Sequence, residues 1–329
     1  MMDNRLSLLC LSAAALLAQS GSARADSEPP AVWNPVIAGP ELLSGVGLQP
    51  PGQMFFRLYI FSEDAYAQYG GWSLGTRPLP QSLAAINPNV EYALGILPWM
   101  ECGVFASEAS FWQGSGGGVP AVSGNGVGDT NPYCKFRLHD PHQGGLPVWL
   151  TEMVFASLPT STWAGSLGTP PIPGGFAPLG RLPATHFGEP EITELLLFRK
   201  AFEPFRLTAG LYYSYALPGG GPGQAYGDIF QYRGAFEQVL DERHGLAYAI
   251  EALGLQGLPF RLDGQPVEVG RPSFGLVGVQ PTFEFRLGSQ IAGEVGVLFT
   301  VAGANDVAAV YPNFSLYYYW NPAGAVAGR

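Results

Sequence analysis

Charge is scarce in this chain: only 13% of its 329 residues are Asp, Glu, Lys or Arg, and the formal net charge is −10. A sparse, acidic charge set gains nothing from phosphate backbones, so nucleic acid is excluded as a partner. Histidine is scarcer still, at four residues. No G-x-S-x-G elbow occurs, and no histidine falls mid-strand beside a serine partner, so a membrane-embedded hydrolase is not expected. Long apolar runs are missing beyond Leu17, which leaves no helix able to span a bilayer. Three cysteines, one of them Cys10, are too few for a disulfide scaffold.

What is present points to an envelope. Arg5, the apolar stretch Leu6 to Leu17 and Ala23-Arg24-Ala25 read as a secretory signal peptide over residues 1–25, cleaved after Ala25. The remainder pairs its low charge with 13% aromatic residues and 45 glycines. A secreted chain of this kind, without a helical anchor, either buries a great deal or sits in lipid as a barrel.

Alternating polarity recurs in Phe205–Tyr215, Asp228–Leu240, Val277–Leu287, Ile291–Val301 and Val307–Trp320. These segments outrun the roughly 5–6 residues of ordinary strands and match the roughly 9–11 needed to cross a bilayer. Twelve candidates emerge: 53–63, 89–97, 100–112, 127–138, 147–158, 190–201, 204–216, 227–240, 244–256, 274–286, 290–302 and 307–320. Their connections alternate between long Gly/Pro-rich loops, 159–189 the longest, and short turns. The expected fold is all-β: a twelve-stranded antiparallel transmembrane β-barrel over 51–320, placed in the outer membrane, with a C-terminal tail at 321–329. Residues 26–50 are an N-terminal periplasmic tail or a plug, with a disordered leader as the default reading.

One face of each strand is apolar and the other carries the charge. Phe205, Leu207, Leu211 and Tyr213 oppose Arg206, Thr208, Tyr212 and Ser214, and Phe230, Tyr232 and Phe236 oppose Gln231, Arg233 and Glu237. A cation facing lipid near the midplane costs about 2–4 kcal/mol, so the charged face belongs to the lumen. The pore-lining candidates are Arg57, Glu91, Lys135, Arg137, Arg206, Arg233, Glu237, Glu251, Glu284, Arg286 and Glu294. Aromatics such as Trp99, Trp112, Trp149 and Trp320 crowd strand ends, as in an interfacial girdle. Strand 190–201 is less clean, with Glu194 and Lys200 on one face and Glu191 and Arg199 on the other.

His139-Asp140-Pro141-His142 brings two imidazoles and a carboxylate together, but without two further ligands it reads as a solvated turn, and no metal or cofactor is expected. Cys102 and Cys134 lie on neighbouring strands, nearly opposite, where an oxidising compartment permits a bond. The alternation around Lys135 and Arg137 turns Cys134 outward, however, while Glu108 turns Cys102 inward. Opposite faces forbid a bridge, so the pair is expected to be unbonded.

Gly126-Val127-Gly128-Asp129 followed by Lys135-Phe136-Arg137-Leu138 resembles the G-x-G-D…K-[YF]-R-[FL] segment of the MetA-type outer-membrane family of phenol meta-pathway degradation. Glu91–Phe105 resembles that family's preceding strand–turn–strand, so the likeness covers 89–138. It implies passage of small, hydrophobic or aromatic molecules across the outer membrane. Lipid, a small-molecule solute and the outer-membrane insertion machinery are the partners expected. A barrel with a filled lumen, serving structure or surface interaction, is the alternative.

Overall fold

A computed structural model of the chain describes residues 38–116, 121–143, 145–160, 190–217, 224–225, 227–259, 261–262, 265–266 and 273–320. Twelve antiparallel strands close on themselves. They are β1 (Met54–Gln68), β2 (Arg77–Leu97), β3 (Met100–Gln113), β4 (Val122–Val127 continuing as Asn131–His139), β5 (Trp149–Ser157) and β6 (Glu191–Phe202). The second half comprises β7 (Phe205–Ala216), β8 (Ile229–Asp241), β9 (Leu246–Gly257), β10 (Phe274–Leu287), β11 (Ile291–Ala304) and β12 (Val307–Trp320). Each strand pairs with its sequence neighbours, and β1 pairs with β12, so no edge remains open to lipid.

The alternation sets the two faces. In β7, Arg206, Thr208 and Ser214 are buried in the lumen while Leu207, Leu211 and Tyr213 stand exposed on the outer wall. In β8, Gln231, Arg233 and Glu237 are buried against outward Phe230, Tyr232 and Phe236. This inversion, charge inside and large apolar groups outside, suits a hydrocarbon solvent. Leu211 sits mid-strand on the lipid face, so Leu211→Arg is expected to cost about 2–4 kcal/mol in urea unfolding from detergent or bilayer. An unchanged midpoint would contradict the membrane placement of this wall.

Two segments differ from the sequence reading. Strand β2 starts at Arg77, twelve residues before the alternation suggests, because Pro78, Pro80 and Pro88 read as loop. At Pro88, which has no N–H, the ladder to β3 skips from Ile86↔Ser110 to Asn89↔Ser107. Strand β4 begins at Val122 and breaks at 128–130 before resuming. The two ends of the barrel differ only in part: at the short-turn end the connections are 98–99, 140–148, 203–204, 242–245 and 288–290, while at the other end 158–190, 217–228 and 258–273 are longer but 305–306 has only two residues.

Cys102 and Cys134 are directly paired across β3 and β4 and form a disulfide with an S–S distance of 2.09 Å, which corrects the expectation that they are unbonded. The error lay in Glu108, which is exposed, whereas Glu101 is wholly buried in the lumen. Cys102 therefore faces outward with Cys134, and outward residues opposite one another are within bonding reach. Maleimide labelling of the denatured chain without reductant is expected to find neither thiol free, and both after reduction. Two free thiols before reduction would restore the unbonded reading.

Inside the barrel lies a part of the segment that the sequence leaves open between tail and plug. Residues 38–50 enter the lumen from the short-turn end, reach mid-height at Glu41 and Leu42 beside β9, and return to the same end at Gln49 and Pro50 beside β2 and β3. The wall is shaped for it. A Cβ at Gly95 would stand 2.1 Å from the Pro50 carbonyl oxygen, and one at Gly210 would stand 2.9 Å from Leu43. Residues 1–37, 161–189 and 321–329, which carry the signal peptide, most of the longest loop and the tail, lie outside the described residues.

Candidate functional site: the lumen

An irregular segment inside a barrel needs partners for its backbone N–H groups. Here the wall's carboxylates supply them. Glu284 accepts from the Gly39 N–H at 2.6 Å, Glu251 from the Glu41 and Leu42 N–H groups at 3.1 and 2.8 Å, and Glu101 from the Gln49 N–H at 2.7 Å. Tyr212 Oη accepts from the Ser44 N–H at 3.2 Å, and Thr151 Oγ1 donates to the Val46 carbonyl at 2.8 Å. Arg233 donates to the Leu42 carbonyl and to Gln231, with its guanidinium 4.4 Å from the centre of the Tyr212 ring. Hydrogen bonds of this charge-assisted kind are the stronger class, and they are spread along the whole re-entrant segment.

The sequence-derived candidates divide into groups. Arg57 centres one network: its guanidinium lies 3.3 Å from Glu41, 3.1 Å from Glu294 and 3.8 Å from Glu91. Tyr317 donates to Glu294 at 2.6 Å and Tyr133 donates to Glu91 at 2.7 Å. The Arg57 guanidinium also lies 4.6 Å from the centre of the Tyr59 ring and 4.9 Å from that of Tyr317. A second network joins Arg206 to Glu237, with Glu284 at 3.9 Å and Thr208 donating to Glu237 at 3.2 Å. Lys135 pairs with Glu101 at 3.1 Å. Arg286 lies at the short-turn mouth, its side chain against Gly245.

Arg137 is the outlier, because its guanidinium is taken by Asp140 of the 140–148 turn at 3.0 Å. Burial pushes the Asp140 carboxyl up, but the His142 backbone N–H, the His142 ring and the Arg137 guanidinium outweigh it and hold the group below the usual carboxylate range. His139 reaches the Leu146 carbonyl at 2.8 Å and His142 reaches Asp140 at 2.7 Å, so both imidazoles serve the turn. Among the described residues no cluster of three metal-ligating side chains occurs.

Sequence reasoning overlooked Glu41, Glu101 and Arg199. Glu41 lies on the non-periodic segment, Glu101 was masked by the misjudged face of β3, and Arg199 shares its strand face with Glu191, a pattern that was visible. Strand β6 also keeps an acidic side chain outward: Glu194, like Glu152 of the neighbouring β5, is half-buried on the lipid-facing side.

Two cavities flank the tip of the re-entrant segment. The larger, about 420 Å³, opens at the short-turn end and is walled by Phe55, Tyr317, Tyr319, Lys135, Arg199 and Arg206, among others. The smaller, about 50 Å³, lies beyond Glu41 and Leu42 against Tyr59, Phe155, Ile229 and Gln231. Leu43, Ser44 and Arg57 line both. Further outward the interior turns apolar, with Phe61, Leu253, Leu255, Leu276, Leu298 and Tyr311 packed together.

A closed twelve-stranded wall of this kind matches the COG4313 outer membrane channel from Pseudomonas putida F1 with a TM-score of 0.64 and 11% sequence identity, over 83% of this chain and 97% of that one. The fold is that of an outer-membrane β-barrel. The outer-membrane barrel resembles less closely the β domain of the Bordetella autotransporter BrkA (TM-score 0.47, 8% identity, 81% of this chain and 99% of that one). The TodX deltaS2S3 mutant monoaromatic hydrocarbon channel gives 0.40, at 11% identity over 83% and 91%. No protein-family model matches the chain, and no curated protein does.

Proposed function

We propose that this outer-membrane barrel is a passive channel for small molecules, closed in the conformation described by its own residues 38–50. The observation that carries the reading is the pair of cavities on either side of the re-entrant tip, whose linings share Leu43 and Ser44 of the tip and Arg57 of the wall. Withdrawal of that tip would join the short-turn cavity to the smaller one beyond it, towards the outward half of the barrel. In this reading Arg57, Glu91, Lys135, Arg206, Arg233, Glu237 and Glu294 line the path, while Glu251 and Glu284 hold the closing segment. Arg137 and Arg286 belong to its short-turn mouth.

The apolar outward half supports solutes with a hydrophobic body, and the likeness of 89–138 to the MetA-type family supports aromatic ones. Delivery after cleavage at Ala25, with help from the outer-membrane insertion machinery, is part of the same reading. The salt-bridged interior favours one rival, a barrel whose filled lumen serves stiffness alone. Planar-bilayer recordings decide between them. Discrete openings by the full mature chain, however brief, support the channel, and silence in both the full chain and one lacking 38–50 supports the filled barrel.

A further inference from the structure

Arg199 stands apart from the other buried cations on the wall of the larger cavity. Arg57, Lys135 and Arg206 each lie within ion-pair distance of a carboxylate. Arg199 is only 7% exposed, its Nε donates to Thr208 Oγ1 at 3.2 Å, and among the described residues no carboxylate lies within ion-pair distance of it, Glu237 and Glu284 acting on it only from farther away. Its Nη2 passes Gly39, where an added Cβ would stand 3.7 Å away, and the guanidinium borders the cavity. A buried cation without a direct ion-pair partner is costly, and the cost falls when an anion occupies the adjoining space.

The opposite wall has different chemistry. Strands β1 and β12 lie across the barrel from β6 and present Phe55, Tyr317 and Tyr319, with ring centres 6.2–6.3 Å apart and the two tyrosines stacked at 5°. A space of about 420 Å³ falls within the range of small-molecule sites. We propose that this cavity is a binding site for a small organic monocarboxylate, whose carboxylate is gripped by Arg199 and whose apolar body rests on the Phe55–Tyr317–Tyr319 wall. One guanidinium whose fork is not taken by a carboxylate matches one negative charge, and its planar geometry suits a carboxylate. A multiply charged anion would have to draw Lys135 or Arg206 from its partner. The proposal deepens the channel reading by naming a solute class and rests on that reading for its role in passage, although binding itself needs no conduction.

Equilibrium binding of benzoate and of the neutral benzyl alcohol to the detergent-purified mature chain is the test. Benzoate is expected to bind at least about tenfold tighter than benzyl alcohol, and Arg199→Gln to bring the two within about twofold. Arg199→Lys, which keeps the charge and loses the fork, is expected to retain an intermediate preference. Heat-modifiable gel mobility shows whether each variant is folded, and Arg199→Lys carries the test if Arg199→Gln is not. Equal binding of the two probes, or a preference untouched by either variant, overturns the proposal. So does inorganic phosphate competing as well as benzoate, which would make the cavity a general anion site. Intact benzoate binding with no solute flux into liposomes would refute the channel reading and leave this one standing.

Discussion

A chain lacking residues 38–50 is expected to conduct at least about ten times better than the full mature chain in planar bilayers, because a twelve-stranded wall emptied of its insert lies on the open side of the eight-stranded, side-chain-filled limit. The full chain has its mid-height crossed by Glu41–Ser44, anchored by Glu251, Tyr212 and Arg233. A graded version comes from Glu251→Ala. Each hydrogen bond to a charged group contributes about 1.5–3 kcal/mol, so losing two backbone anchors shifts the closed–open balance by at least about tenfold without deleting any chain. Full-length and truncated proteins with equal conductance would show that the segment does not close the path.

Removal of the Arg57 side chain is expected to have the largest effect on stability. Arg57→Ala leaves Glu41, Glu91 and Glu294 buried around an empty site, and breaking such a network from one side costs about 3–5 kcal/mol. The measurement is the urea midpoint followed by gel mobility and tryptophan fluorescence. Adding Glu294→Gln to Arg57→Ala should recover part of the loss, since it removes one of the stranded carboxylates. A midpoint unchanged in the single variant would mean that water already screens the cluster. The same substitution frees Glu41 from one partner, so brief conducting events should accompany the loss of stability.

The strands show how far periodicity carries. In β7 and β8 every second residue declares its side, because lipid and lumen impose opposite chemistry on a two-residue repeat. The outer half of β2 was hidden by Pro78, Pro80 and Pro88, which the ladder accommodates locally. Glu108 misled because a charge in the outer reach of β3 can stand exposed without crossing the apolar band, whereas Glu101 cannot leave the lumen. The re-entrant segment was illegible for another reason. Its partners lie up to 274 residues away, and none of its own residues follows a strand or helix period. Arg199 could be assigned a face from sequence, but its lack of a direct ion-pair partner among the described residues exists only in three dimensions.

The bonds of Glu41 also bear on the order of folding. Its carboxylate meets Ser315 of β12 and Arg57 of β1, the two strands that complete the ring, and its backbone N–H meets Glu251 of β9. Arg57 and Ser315 come together only when the β1–β12 seam zips. Docking of 38–50 therefore reports ring closure, and such high-contact-order steps come late. A residue near the beginning of the chain is then among the last to reach its native neighbours, and its protection from hydrogen exchange would mark the moment the barrel is complete.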